Sequence, residues 1–373
     1  MILTQEQEMV RDAMRSFAQE RLAPFAGEWD RNHTFPAEAL KELGGLGALG
    51  MVVPEEWDGA GMDYMSLVLT IEEIAAGDGA TSTIVSVQNS LACGITMKYG
   101  TDQQKETWLK PLARGDSLGC FCLTEPHTGS DASSITTRAD RDGDHFVLNG
   151  VKQFITTGKY ADVAIVFAVT DKAAGKKGIS CFLVPTATPG YIVARIEEKM
   201  GQHASDTAQI LFEDCRVPAS ALLGKEGDGY RIALSNLEAG RIGIAAQSVG
   251  MARAAFEAAV RYAKERTTFG VAIIEHQAVN FRLADMATQI DAARLMVWRA
   301  ATLKDAGRPC LTEASMAKMF ASEMAEKVCS DAIQIHGGYG YVSDFPVERI
   351  YRDVRVCQIY EGANDIQRLV IGR

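Results

Sequence analysis

HFVLNGVKQFITTG, residues 145–158, is the stretch that decides the fold. β-Branched and aromatic residues come in short runs here. ADVAIVFAV (161–169), ISCFLVP (179–185) and AQILFED (208–214) continue the pattern with turn residues between them, which predicts strands. Asn149-Gly150, set between two of the runs, predicts a type I′ hairpin. Upstream the period changes. Met9, Val10, Ala13, Met14, Phe17 and Ala18 recur at helical spacing behind TQEQ, where Thr4 and Gln7 fit a capping box, and TDQQ at 101–104 repeats that start signal. Downstream, no proline falls between Pro218 and Pro309, and the alanine-rich run 232–267 predicts long helices. The order is helical, then β, then helical: a multidomain α+β chain divided at 1–118, 119–222 and 223–373, without an internal repeat.

Composition narrows the function classes. At 373 residues, 47% hydrophobic and 23% charged, the chain can bury a large core. A net charge of -10 with no Lys/Arg-rich run argues against nucleic acid. No stretch approaches ~18 consecutive apolar residues, and the start lacks a basic segment followed by an apolar one, so no membrane span or targeting segment is expected and the chain reads as cytoplasmic or matrix-like. The 8 cysteines show no C-x-x-C spacing and the 6 histidines no metal-ligand pairing, so reduced buried thiols and no metal are expected.

Individual motifs are ambiguous alone. Gly45-Leu46-Gly47-Ala48-Leu49-Gly50 spells G-x-G-x-x-G, but a helix precedes it and Pro54 follows, so it reads as a glycine-rich helix end and not a dinucleotide fingerprint. CFCLTEPHTGSDASS (120–134) is dense in hydroxyls and glycine, as a plain surface loop or a loop facing a polar ring edge or pyrophosphate is. Phe154 and Thr156 share one face by the two-residue period, which suits a planar cofactor as well as a core strand. Glu238 and Arg241 lie one turn apart and fit an exposed ion pair, while Gly240 between them costs about 1 kcal/mol against alanine and implies that something packs close. Near the end, Glu361 stands between Tyr360 and Gly362, either a charge ahead of a terminal helix or a base.

LTEPHTGSD, LNGVKQFITTG, LEAGR, ERTTFG with Gln277, HGGYGY and IYEGANDIQR, in this order and on this layout, resemble the acyl-CoA dehydrogenase family over essentially the whole chain. The resemblance implies an N-terminal helical domain, a central barrel- or sandwich-like β domain and a C-terminal four-helix bundle, usually in a homotetramer. It also implies FAD as cofactor, an acyl-CoA substrate in fatty acid β-oxidation, and an electron-transferring flavoprotein as partner. By position, Phe121, Cys122, Leu123, Thr124, Gly129 and Ser130 would line the flavin, with Ser130 also reaching substrate. Phe154, Ile155 and Thr156 would flank its ring. Arg266, Phe269, Gln277, Gln334, Ile335, His336, Gly337 and Gly338 would hold the diphosphate and adenine, partly across a subunit boundary. Ala363, Asn364 and Asp365 would complete the cofactor set. Glu238, Arg241 and Gly362 would border the acyl-CoA, residues 90–97 would floor its acyl pocket, and Glu361 would be the base.

The sequence departs from the family pattern in places. Phe154 stands where tryptophan is usual, and Ala363-Asn364 stands where Thr-Ser or Thr-Asn is usual, which removes a hydroxyl contact to FAD. An alternative on the same fold is a flavin-dependent acyl-CoA or nitroalkane-type oxidase that uses O2. The latter expects aspartate at the base position, where this chain has Glu361. A scaffold that binds acyl-CoA without turnover needs no base, and Glu361 argues against it.

Overall fold

The structure, a computed structural model, describes residues 2–373. The N-terminal part holds α1 (Gln5–Phe17), α2 (Ala23–Asn32), α3 (Ala37–Gly45), α4 (Tyr64–Gly77), α5 (Gly79–Val87), α6 (Gly94–Tyr99), α7 (Asp102–Gln104) and α8 (Lys110–Arg114). Both expected capping boxes are present, at Thr4 and at Thr101. Helices α4 and α5 are buried on nearly every face, as helices at the centre of a large core are. The glycine-rich 45–50 segment is the end of α3.

Strands β1 (Gly119–Cys122), β2 (Arg138–Asp142), β3 (His145–Thr156), β4 (Val163–Val169), β5 (Ile179–Pro185), β6 (Tyr191–Ile196) and β7 (Thr207–Pro218) form one curled sheet in the order β1-β4-β2-β3-β7-β6, with β5 on β4. The expected hairpin at Asn149-Gly150 is not there. β3 runs straight through it, and the ladder to β7 slips between Leu148 and Gly150, which is a bulge. A Cβ on Gly150 would stand 2.5 Å from Thr137 Oγ1, so glycine is required by the residue leading into β2 rather than by a turn. The two-residue hairpin lies earlier, where Asp142 pairs with His145 across Gly143-Asp144.

The C-terminal part is built on α9 (Gly229–Glu265), α10 (Gln277–Asp305) and α11 (Leu311–His336). A small ribbon, β8 (Thr267–Thr268) with β9 (Val271–Ala272), joins the first two, and α12 (Val347–Val354) and α13 (Asn364–Ile371) complete the bundle. Ala245, Ala252, Ala255 and Ala259 of α9 and Ala314, Ala317, Ala321 and Ala325 of α11 are all sealed from solvent, and side chains this small let the two helices approach closely. α4 also packs on α9, and α13 packs on α11, with the turn at Glu361-Gly362 ahead of α13 lying against the first third of α9.

Candidate active site

Glu361 occupies a backbone turn that few residues tolerate. Its φ is 53° and that of Gly362 is 87°, both in the left-handed region. The turn is held by donors: Lys318 Nζ and Gln367 Nε2 each reach Gly362 O at 2.8 Å, and Gln367 Nε2 also reaches Glu361 O at 3.2 Å. The carboxylate is thereby pressed onto α9 at Gly240, where a Cβ would stand 2.5 Å from Oε2 and 2.9 Å from Cδ. Oε2 is buried and has no hydrogen-bond partner among the described residues. Burial pushes this carboxyl up to about 7, with Arg241 and Lys318 holding it back from rising further.

Behind the turn lies a polar chain that sequence reasoning did not find. Tyr360 OH donates to Gln247 Oε1 at 2.5 Å, Gln247 Nε2 donates to Thr83 Oγ1 at 2.6 Å, and the Thr83 hydroxyl donates to Gln202 Oε1 at 2.6 Å. α9, α5 and the β6–β7 connection are thus tied to the residue beside Glu361.

The second group of expected residues gathers at the end of β1 and on β3. Thr124 O accepts from Gln153 N at 2.8 Å, and Leu123 O accepts from Lys152 Nζ at 3.1 Å. The same ammonium meets Glu125 Oε1 at 2.8 Å in an ion pair that is 0% and 1% exposed. Burial alone would push the Glu125 carboxyl up, but Lys152 and the Thr136 and Thr137 donors bring it down to about 2. Phe154 sits in a second slip of the β3–β7 ladder with φ 59° and 63% exposure, Ile155 is buried, and Thr156 is half-buried. Gly129 and Ser130 are exposed in the adjoining loop, whereas the Phe121 ring packs on Phe167 and the Cys122 side chain is buried.

Lys152→Met would strand the Glu125 carboxylate in the interior. It is expected to cost about 3–5 kcal/mol of stability, read as a lowered Tm, with Glu125→Gln added to Lys152→Met recovering most of the loss. A wild-type melt for Lys152→Met would mean that the pair does not hold this loop.

A third group stands apart. Arg266 is exposed at the end of α9, its guanidinium 6.0 Å from the Tyr339 ring, and Phe269 is 97% exposed with φ 53°. Gln277 opens α10, and Gln334, Gly337 and Gly338 are exposed at the end of α11. Ile335 and His336 are buried; the His336 ring stacks on Tyr262 at 4.4 Å, so its side chain is packing. Gly240 lies near the start of α9 and Arg266 caps its far end, so at ~1.5 Å per residue the two are roughly 40 Å apart.

Profiles of the acyl-CoA dehydrogenase N-terminal, middle and C-terminal domains match residues 4–116, 120–215 and 227–373. The human mitochondrial short-chain specific acyl-CoA dehydrogenase is 48% identical over 99% of this chain and 90% of its own length. An acyl-CoA dehydrogenase of Bacillus subtilis is 48% identical over 100% of this chain and 98% of its own. Among solved structures, butyryl-CoA dehydrogenase from Megasphaera elsdenii superposes with a TM-score of 0.98 at 42% identity, covering 100% of this chain and 98% of the other. A chain from work on the electron-transferring flavoprotein of Acidaminococcus fermentans superposes with a TM-score of 0.98 at 46% identity, over 100% of this chain and 98% of that one.

The chain belongs to the acyl-CoA dehydrogenase family.

As a member of this family it is an oxidoreductase, and several expectations take on a definite shape. Glu238 and Arg241 do not form the exposed pair that their spacing allows. Glu238 Oε1 takes the Lys304 ammonium at 2.8 Å, while Arg241 is buried with Nη1 3.2 Å from Ser315 Oγ. Asn364 is buried, with Lys318, Ser322 and Glu323 around its carboxamide, Ala363 caps α13 without a side-chain bond, and Asp365 is exposed. Lys152, Lys318 and Gln367 were missed because nothing local marks a lysine or glutamine whose partners arrive from distant elements. Among the described residues, no helix is long and apolar enough to cross a membrane, and no group of three or more His, Cys, Asp or Glu side chains is placed to hold a metal ion.

Proposed function

We propose that this chain desaturates short-chain acyl-CoA thioesters at the α,β bond with FAD as hydride acceptor and passes the electrons to an electron-transferring flavoprotein. The observation that carries this reading is the Glu361 carboxylate: its Oε2 is buried without a hydrogen-bond partner, it is pressed on Gly240, and burial pushes it up to about 7. A carboxylate so placed can take the α-proton of a thioester lying along α9. The Glu361 backbone N–H, presented at the left-handed turn, can donate to the thioester oxygen as negative charge develops there, and Gly362 lets the chain approach the acyl group without a Cβ.

The residues present fit FAD. An exposed aromatic ring, Phe154, is fixed by its backbone geometry beside the half-buried Thr156 hydroxyl, and the loop opposite is anchored by main-chain bonds and a buried ion pair. Leu123, Thr124, Ser130, Phe154 and Thr156 would hold the ring. Bound there, FAD would supply the acceptor for the hydride that leaves the β-carbon. With Arg266 roughly 40 Å along α9 from Gly240, that end of the bundle, with Phe269, Gln277 and Gln334, would serve a second copy's cofactor, so a homo-oligomer, most simply a tetramer, completes the site. The short-chain preference and the flavoprotein partner are supported by the names of the relatives. A cytoplasmic or matrix location accords with the bacterial and mitochondrial relatives, and 1–118, 119–222 and 223–373 are the units we assign.

The test is a yellow protein with about one FAD per chain, bleached anaerobically by a panel of acyl-CoA thioesters of graded length and branching. Bleaching is expected to be fastest near butyryl-CoA. A preparation that stays colourless after incubation with FAD would sink the cofactor assignment, and fastest bleaching by long or branched thioesters would overturn the substrate class.

A further inference from the structure

Lys318, on α11, is sealed from solvent, and the steps above leave it unused. Its Nζ donates to Gly362 O at 2.8 Å and to Asn364 Oδ1 at 2.9 Å, acceptors on the base's own turn and on the first residue of α13. Asn364 is fixed in turn by Ser322 Oγ and Glu323 Oε1, each at 3.1 Å, so the ammonium is held between α11 and the catalytic segment. A buried ammonium whose hydrogen bonds go to two neutral oxygens is costly, and an apolar side chain of the same length would fill the space with no desolvation penalty. Burial accordingly lowers Lys318 to about 8. The charged or titratable groups facing Lys318 are Cys357, Glu361, Arg241 and Glu323, and those facing Glu361 are Arg241 from α9 and Lys318 from α11.

We propose that Lys318 is a positioning residue for proton abstraction: its ammonium, bonded to Gly362 O and Asn364 Oδ1, clamps the Glu361-Gly362 turn in its left-handed conformation and sets a positive charge beside the turn that carries the Glu361 carboxylate. This deepens the reading of Glu361 as base and rests on it. Arg241 is the other cation at the carboxylate, but it bonds to Ser315, so Lys318 is the charged donor on the carbonyl of the turn, beside the neutral Gln367 amide.

The experiment uses holoenzyme: wild type, Lys318→Met, Lys318→Arg, Asn364→Ala and Glu361→Gln. The pH dependence of anaerobic flavin bleaching by butyryl-CoA is measured in each. In parallel, the protonated carboxyl band that Glu361→Gln abolishes is titrated by infrared difference spectroscopy. Lys318→Met is expected to move both midpoints up by roughly one pH unit. Lys318→Arg, which keeps a charge, should stay near the wild-type midpoint. Should Lys318→Met not yield holoprotein, Asn364→Ala decides, because it loosens one of the two anchors of Nζ and should shift the midpoint in the same direction by less.

Wild-type midpoints in Lys318→Met, or in Asn364→Ala where that variant decides, overturn the proposal, as does an equal shift in Lys318→Arg. Wild-type bleaching by Glu361→Gln would instead overturn the base assignment, and the infrared titration would still report on the Lys318 charge.

Discussion

Glu361→Gln is expected to leave a folded, yellow protein that binds acyl-CoA but whose flavin reduction falls by about 10²- to 10⁴-fold, the usual size of a general-base contribution. The substitution keeps the side chain's volume against Gly240 and leaves the carbonyls that Lys318 and Gln367 hold, so the turn should persist. What is lost is the basic oxygen Oε2, to which no described group donates a hydrogen bond. The pH dependence of the wild type follows from the same environment. Only the carboxylate form accepts a proton, and the folded-state value lies near 7 because burial outweighs Arg241 and Lys318, so reduction should fall as the pH drops below about 7. The sign for stability is opposite. A carboxyl raised from 4.5 to about 7 by folding favours the native state most below its unfolded value and loses that contribution as the pH rises through 7. Wild-type-like bleaching in Glu361→Gln, measured by stopped flow with butyryl- and octanoyl-CoA, would mean that another residue is the base.

How much of this was legible in the sequence depended on whether the determining contact was local. Capping at Thr4 and Thr101 and the two periodicities are local, and they place the helical and β parts correctly. Asn149-Gly150 looks like a turn only because the neighbour that needs its glycine, Thr137 just ahead of β2, cannot be seen in the dipeptide. The strict alternation used for Phe154 and Thr156 ignored the slip after Lys152, which the residue pattern does not announce, although exposed, buried and half-buried still follow one another across 154–156. Gly240 was readable as a point of close approach, but not what approached it. Lys152 and Lys318 run against the rule that lysine stays at the surface, and only the assembled fold shows the acceptors that hold them.

Moving the carboxylate to α9 is the sharpest test of the contact at Gly240. In the wild-type background a side chain there collides with Glu361, since even a Cβ would stand 2.5 Å from Oε2, so Gly240→Glu alone should displace the carboxylate and impair reduction. Glu361→Gly removes the obstacle. It should also be well tolerated, because a φ of 53° strains glutamate and suits glycine, although reduction should fall as far as in Glu361→Gln. Adding Gly240→Glu to Glu361→Gly then puts a carboxylate back into the space that the first one left, approaching from the neighbouring helix, and the helix interior gains a better helix former. Measurable flavin reduction should return, at least about tenfold above Glu361→Gly, with a raised KM because the longer reach crowds the acyl group. If the double variant folds, holds FAD and bleaches no faster than Glu361→Gly, a carboxylate at this contact is not sufficient, and the base must depend on the clamped turn as well as on its place against α9.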